Sequence, residues 1–303
     1  PLDRFLGAGL TGTRTRHGRV GAKRRDPHPN PLPYRERAQD NASPRGREVI
    51  ECSAGFRGQD ARISLCAGLS RAVMCLSSPM PNVAHFVEKH LDPAKLRALR
   101  AAGELVGEAP GQPHEVYLVG GPVRDMFLGR SPEDLDLSVV GDGEEFGRQL
   151  AEKLGGRLAA TSEFGTARAL LDCGAVDIAT ARFETYPAPG ALPHVTPAGI
   201  QEDLARRDFT VNAMAVAAWS ARWGDLLDPH GGAADTVRKQ LRVLYDKSFR
   251  DDPTRIMRGL RYHARLGFAF EPRTLGLIAR DRQFISNVSP ARVSAELAKM
   301  LAE

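Results

Sequence analysis

The chain has 303 residues, 42% of them hydrophobic and 26% charged, with a formal net charge of +5. No apolar run approaches the length of a membrane span, and the cysteines Cys52, Cys66, Cys75 and Cys173 show neither C-x-x-C spacing nor a His pair at zinc-site distance, which suits a reduced, cytoplasmic protein. The positive charge belongs to the first quarter: residues 1–79 hold 14 Lys and Arg against 7 Asp and Glu, the remainder 28 against 30, so the overall balance is no argument for a nucleic-acid partner.

Residues 1–79 are rich in Arg, Gly and Pro, lack a period of two or 3.6, and read as a disordered or mis-assigned extension. An Arg-rich RNA-binding arm and a transit-like leader are the alternatives, and only Ile63 to Leu76 has the pattern of a helix. From Val83 the spacing turns helical, through Phe86, Val87 and Leu91, then Leu96, Leu99 and Val106 beyond Pro93. The apolar run Val116 to Val119 is a strand that stops at Gly120-Gly121. Pro122 suits the first turn of a helix, where its missing N–H costs nothing. Val123, Met126 and Phe127 give that helix an apolar face, Gly129 ends it, and Ser131-Pro132 turns the chain into a second strand.

In this second strand Asp134 and Asp136 alternate with Leu135 and Leu137, so both acids share one face. Two adjacent carboxylates repel each other unless a cation lies between them, and hard oxygen ligands favour Mg²⁺ or Mn²⁺. A strand, Gly-Gly and helix start form a phosphate seat. Together they suggest a metal–triphosphate site, whereas a lone D-x-D would be a solvated strand end.

Phe146, Leu150 and Leu154 mark an amphipathic helix ended by Gly155-Gly156, and Arg157 to Thr161, Thr166 to Asp172 and Ala175 to Arg182 read as strands. Asp177 in the last of these is either an edge-strand acid facing water or a third carboxylate that helps activate a hydroxyl nucleophile. After a Pro-rich connector (Tyr186 to Pro197), Phe209, Ala213, Met214 and Ala217 predict a helical face with Arg206, Arg207, Asp208 and Asn212 at its start. Such a cluster is ordinarily a solvated helix start. Arginine pairs nevertheless bind phosphate bidentately, and the Asn side chain has the reach for a ribose hydroxyl. Leu226 to Val237 is a turn-rich loop. Asp252 is a natural N-cap with Pro253 at N1. Ile256, Leu260, His263 and Leu266 form the expected buried stripe of the helix that follows, with Arg255, Arg258 and Arg261 recurring near one face. Ser289-Pro290 caps a last helix carrying Val293, Leu297, Met300 and Leu301.

In this order the pieces resemble the class II tRNA nucleotidyltransferase and bacterial poly(A) polymerase family, within the polymerase-β-like nucleotidyltransferases; the likeness runs from Val116 to Phe268 and weakly beyond. LVGGPVRDMFLG with DLDL is similar to the family's catalytic motif, which implies Asp134 and Asp136 as ligands of two catalytic metals and Gly120, Gly121 and Arg124 beside the triphosphate. RRDFTVNAMA is similar to the motif holding ribose and triphosphate, giving those roles to Arg206, Arg207, Asp208 and Asn212. LLDPHGGAAD resembles the hinge between head and neck. DDPTR resembles E-D-x-x-R, which implies that Asp252 and Arg255 read the base edge, with Arg258 among the nucleotide-binding residues. Asp251 stands where the family often has Glu.

The resemblance implies an α/β head with a mixed or mostly antiparallel sheet at 80–248 and an all-α neck at 249–303, apparently truncated because the family continues into helical body and tail domains. It implies template-independent addition of C and/or A to tRNA 3′ ends from CTP and ATP with Mg²⁺. CC-only addition, A-only addition and poly(A) tailing compete, and TARFETYPAPGALPHV is similar to a branch containing A-adding enzymes. The third carboxylate is Asp177 or Asp208. The rivals outside this activity are a catalytically idle RNA-binding head and a small-molecule nucleotidyltransferase of the same superfold.

Overall fold

The computed structural model describes residues 81–107, 112–162 and 164–302; the expectations for residues 1–79 lie outside them. Helices α1 (Ala84–His90) and α2 (Pro93–Gly103) open the described chain. Asp92 starts α2 by accepting the N–H groups of Ala94 and Lys95 at 3.0 and 2.9 Å. There follow β1 (Glu115–Val119), α3 (Gly121–Phe127), β2 (Leu135–Val140), α4 (Gly143–Lys153), β3 (Arg157–Ser162), β4 (Thr166–Leu171) and β5 (Gly174–Thr180). A hairpin, β6 (Arg182–Thr185) with β7 (His194–Pro197), leads to α5 (Ile200–Ala205), β8 (Ala215–Ala217), β9 (Leu226–Leu227) and α6 (Gly232–Val237). The rest is β10 (Gln240–Leu241), α7 (Ser248–Asp251), α8 (Thr254–Leu266), β11 (Ala269–Phe270), α9 (Pro272–Asp281) and α10 (Pro290–Ala302).

One seven-stranded sheet runs in the order β3-β4-β5-β2-β1-β8-β9. All its pairs are antiparallel except β2 with β5. Joining parallel neighbours takes a long crossover, here α4 and the β3–β4 hairpin. The mixed, mostly antiparallel head expected from the sequence is therefore present.

Strand β1 is covered on both faces, which is why it reads as an unbroken apolar run. Val116 and Leu118 pack with Leu137, Val139, Phe146 and Leu99. Tyr117 and Val119 pack with Ile200, Leu204 and Ala217, and Trp219 meets the Tyr117 ring edge-on at 5.1 Å. A further cluster gathers Phe209, Phe249, Ile256, Tyr262 and Phe268. It spans the expected head–neck boundary, and all described residues belong to one compact unit.

Two expectations are corrected. The stretch after Arg207 is not a helix with Phe209, Ala213, Met214 and Ala217 on one face: Thr210–Asn212 is a single 3-10 turn and Ala215–Ala217 is β8. Residues 208–218 are all buried, and a run buried all round carries no period that separates strand from helix. In α8 the buried residues are Thr254, Arg255, Ile256, Met257, Gly259 and Tyr262, while Leu260 and His263 are exposed. The polar arginine face turns inward because a pocket lies there.

Gly232 shows how tightly the hinge-like segment packs. A Cβ at this position would lie 2.1 Å from the Thr210 carbonyl oxygen, and Asp228 accepts the Gly232 N–H at 2.6 Å. Gly232→Ala is expected to destabilise by about 1–3 kcal/mol through overpacking against backbone, read as a lower urea midpoint with unchanged slope; an unshifted midpoint would show that the segment yields.

Candidate active site

Strand β1 ends at Gly120, whose φ of +72° suits glycine. A Cβ there would stand 3.1 Å from Arg207 Nη1, so the bare backbone gives that side chain room, with Asp136 Oδ2 beyond it at 3.9 Å. Asp134 lies exposed just before β2, and Asp136 is on the strand. Both line a pocket of about 840 Å³ together with Gly120, Gly121 and Arg124. Asp177 on β5 is directly opposite Asp136 in the parallel register, and Arg168 on β4 is directly opposite Asp177. The three side chains therefore form a row across three strands.

Burial raises the Asp136 carboxyl to about 6, with the Asp177 carboxylate adding to the rise and Arg207 opposing it; Asp134 raises it further. A partly buried acid flanked by two others holds its negative charge only if a cation offsets it. Among the described residues no group of three or more His, Cys, Asp or Glu is placed to hold a metal ion; Mg²⁺ takes one or two carboxylates and completes its shell from water and phosphate oxygens. The donor chemistry therefore fits the expected metal at Asp134 and Asp136.

The pocket as a whole is basic: ten arginines and seven acids line it. Arg124, buried on α3, forks onto Asp125 at 2.9 and 3.1 Å and donates Nη1–H to Asn212 Oδ1 at 2.7 Å. Asn212 Nδ2 in turn donates to Asp208 Oδ1 at 3.1 Å. Asp208 also accepts the Phe209 N–H and, at 2.8 Å, Arg258 Nε. Burial pushes the Asp208 carboxyl up, but Arg258 and the hydrogen bonds from Asn212, Arg258 and Phe209 outweigh it and bring it down to about 2. Arg206 and Arg207 both grip Asp203, at 2.6 and 2.8 Å, and Arg206 also reaches Glu184 at 3.0 Å.

The sequence family described as the poly(A) polymerase head domain matches residues 116–242, and the one described as a probable RNA and SrmB-binding site of polymerase A matches residues 267–303. The A-adding tRNA nucleotidyltransferase of Geobacter sulfurreducens is 40% identical over 224 residues, 73% of this chain and 25% of that protein. The CC-adding tRNA nucleotidyltransferase of Deinococcus radiodurans is 38% identical over 194 residues, 64% of this chain and 51% of that one. A solved CCA-adding enzyme in an apo form superposes with a TM-score of 0.68 at 36% identity, covering 75% of this chain and 53% of the other. The chain belongs to the tRNA nucleotidyltransferase and poly(A) polymerase family. It spans a quarter to about half the length of these relatives.

The residues that the family motifs single out converge on this one pocket with the exception of Asp177, which lines an adjoining groove of about 540 Å³ shared with Asp136, Arg168 and Arg207. Asp252 and Arg255, matching the family's E-D-x-x-R, are held differently from each other. Arg255 is 4% exposed; its Nη1 donates to Tyr245 Oη and Ser248 Oγ at 3.0 and 2.8 Å, and its Nη2 donates to the Arg206 carbonyl at 2.6 Å. Asp252 Oδ1 accepts the Thr254 N–H at 3.0 Å, as its capping pattern predicts, and is ion-paired to Arg292 on α10 at 2.9 Å.

Sequence reasoning missed Asp203, Glu184, Arg168 and Arg292. Asp203 had a signal, since it precedes Arg206 and Arg207 at the three- and four-residue spacing of helical ion pairs. The other three meet their partners only through strand register or tertiary packing.

Proposed function

We propose that the chain is a template-independent nucleotidyltransferase that adds A, or C and A, to tRNA 3′ ends, with ATP and CTP as substrates and the cytoplasm as its place of work. The observation that carries this reading is Asp136 directly opposite Asp177 on the sheet, with Asp134 just before β2, and Asp134 and Asp136 lining an arginine-rich pocket. Three more arginines than acids in that pocket suit a triphosphate, whose charge they would balance together with divalent cations. That relatives are named for A and CC addition to tRNA supports the RNA substrate.

In this reading Asp134 and Asp136 would hold Mg²⁺, with Mn²⁺ as a substitute, and Asp177 is the third carboxylate that helps to activate the hydroxyl; the metal would supply charge stabilisation for the triphosphate and acidity for the attacking 3′-hydroxyl. The remaining work is positioning, which dominates phosphoryl transfer. Arg206 and Arg207, held by Asp203, would offer phosphate the N–H groups that these bonds leave over. Arg124 and Asp208 orient Asn212 toward the sugar. Asp252 and Arg255 offer an acceptor and a fork to the base edge without a nucleic-acid template. A-only addition is the narrower form favoured by the relatives, at 40% identity over 73% of the chain against 38% over 64% for the CC-adding one.

The test is transfer from each labelled nucleoside triphosphate, with Mg²⁺, onto tRNA transcripts ending before the CCA, after C and after CC. CTP and ATP used in order on all three gives CCA addition; ATP used only on the CC end gives an A-adding enzyme. CTP alone gives CC addition, and long A tracts on any RNA give tailing. Absence of transfer to any RNA, with Mg²⁺ or Mn²⁺, overturns the proposal.

A further inference from the structure

The row across the sheet contains one residue to which the catalytic reading gives no task. Arg168 has its guanidinium against the third carboxylate, Nε to Asp177 Oδ1 at 2.6 Å and Nη2 to Oδ2 at 2.7 Å. The fork meets both oxygens, the most directional form of an arginine–carboxylate pair. The contact is set by register, because Arg168 and Asp177 are direct antiparallel partners while Asp177 and Asp136 are direct parallel partners. Both members face water, with side chains 54% and 43% exposed, in the groove that also contains Asp136.

An ion pair so exposed is weak. It is nevertheless placed where it counts, since each Asp177 oxygen already bonded to a guanidinium N–H has its charge partly neutralised toward any other cation. We propose that Arg168 is a positioning residue that latches Asp177: it holds the third carboxylate aligned on the sheet face, and competes for it with the divalent cation held by Asp134 and Asp136. Entry of the metal then draws Asp177 from Arg168, so that the carboxylate set is completed only when the cation is present. Because the ion pair is exposed and weak, the latch opens readily, and its removal shifts metal affinity by about two- to fivefold rather than by orders of magnitude. This inference rests on the metal-dependent reading of the site.

The experiment measures Mn²⁺ binding to the full chain without nucleotide, from the electron paramagnetic resonance signal of free Mn²⁺. Arg168→Ala is expected to bind Mn²⁺ about two- to fivefold more tightly than wild type. Arg168→Lys, a point charge without the fork, should fall between them. In an Asp177→Asn background the same Arg168→Ala change should have no effect, because there is no carboxylate to release. Equal tightening in both backgrounds would reveal only the general field of a nearby cation and overturn the latch, as would unchanged or weaker binding in Arg168→Ala. If Asp134→Ala leaves Mn²⁺ binding unaltered, the metal reading itself fails and the latch with it, an outcome distinct from the loss of the Arg168 effect alone.

Discussion

Asp136→Asn is expected to reduce nucleotide transfer by about 10³-fold, the order of several kcal/mol of transition-state stabilisation, while making the protein harder to unfold. The two effects share one cause. Asp136 is a partly buried acid beside Asp177 and Asp134, with its carboxyl raised to about 6 by desolvation and then by Asp177. Because the folded value lies above the unfolded one, the ionised carboxylate opposes folding at neutral pH, and that opposition fades as pH falls through 6 toward 4. Asparagine keeps the shape and removes the charge, so without divalent metal the variant should gain about 1–3 kcal/mol at pH 7. Asp134→Ala, altering an exposed side chain, should lose transfer without that gain. Urea unfolding beside a transfer assay reads both quantities. Unchanged transfer in either variant would overturn the metal assignment; lost transfer with RNA binding intact would support it and dispose of the rival reading as a catalytically idle RNA-binding head.

Much of this site was legible because its motifs are local. Gly120-Gly121, the following helix and the two acids before and within β2 lie within 17 residues, and a strand–helix–strand pattern places them without knowledge of the rest. The eligibility of Asp177 followed from one acid inside an apolar strand, but its position beside Asp136 depended on β5 pairing with β2 across a long crossover. Arg168 was invisible for the same reason. The buried stripe of α8 was misread because helical periodicity finds the apolar positions and takes them for the inward ones. Here the inward face carries Arg255 and Tyr262, and Leu260 points out. Local rules assume that charge faces water, and they fail where a charged pocket forms part of the interior. The segment 208–218 failed differently, since its uniform burial erased any period.

Asp208→Asn is expected to cost about 3–5 kcal/mol, because it leaves the Arg258 guanidinium beside a neutral partner in a largely buried place. Asp208 is 5% exposed and joins three parts of the molecule: the Phe209 backbone, Asn212 and through it Arg124, and Arg258 on α8. Arg258→Ala should cost a similar amount, and the double variant clearly less than the sum, since the second change removes a group already stranded by the first. The pH dependence follows with the opposite sign to that of Asp136. The Asp208 carboxyl is depressed to about 2 in the folded chain, so its contribution is complete above the unfolded value near 4 and is lost as pH falls from 4 through 2. That loss amounts to about 2 kcal/mol. Wild type should therefore lose stability between pH 4 and 2 more steeply than Asp208→Asn. Equal acid slopes for the two proteins would mean that Asp208 is not the group that ties α8 to the nucleotide residues. If the assignment holds, the variant should also show a raised KM for nucleoside triphosphate at pH 7, because Asn212 and Arg124 are aligned through the same carboxylate.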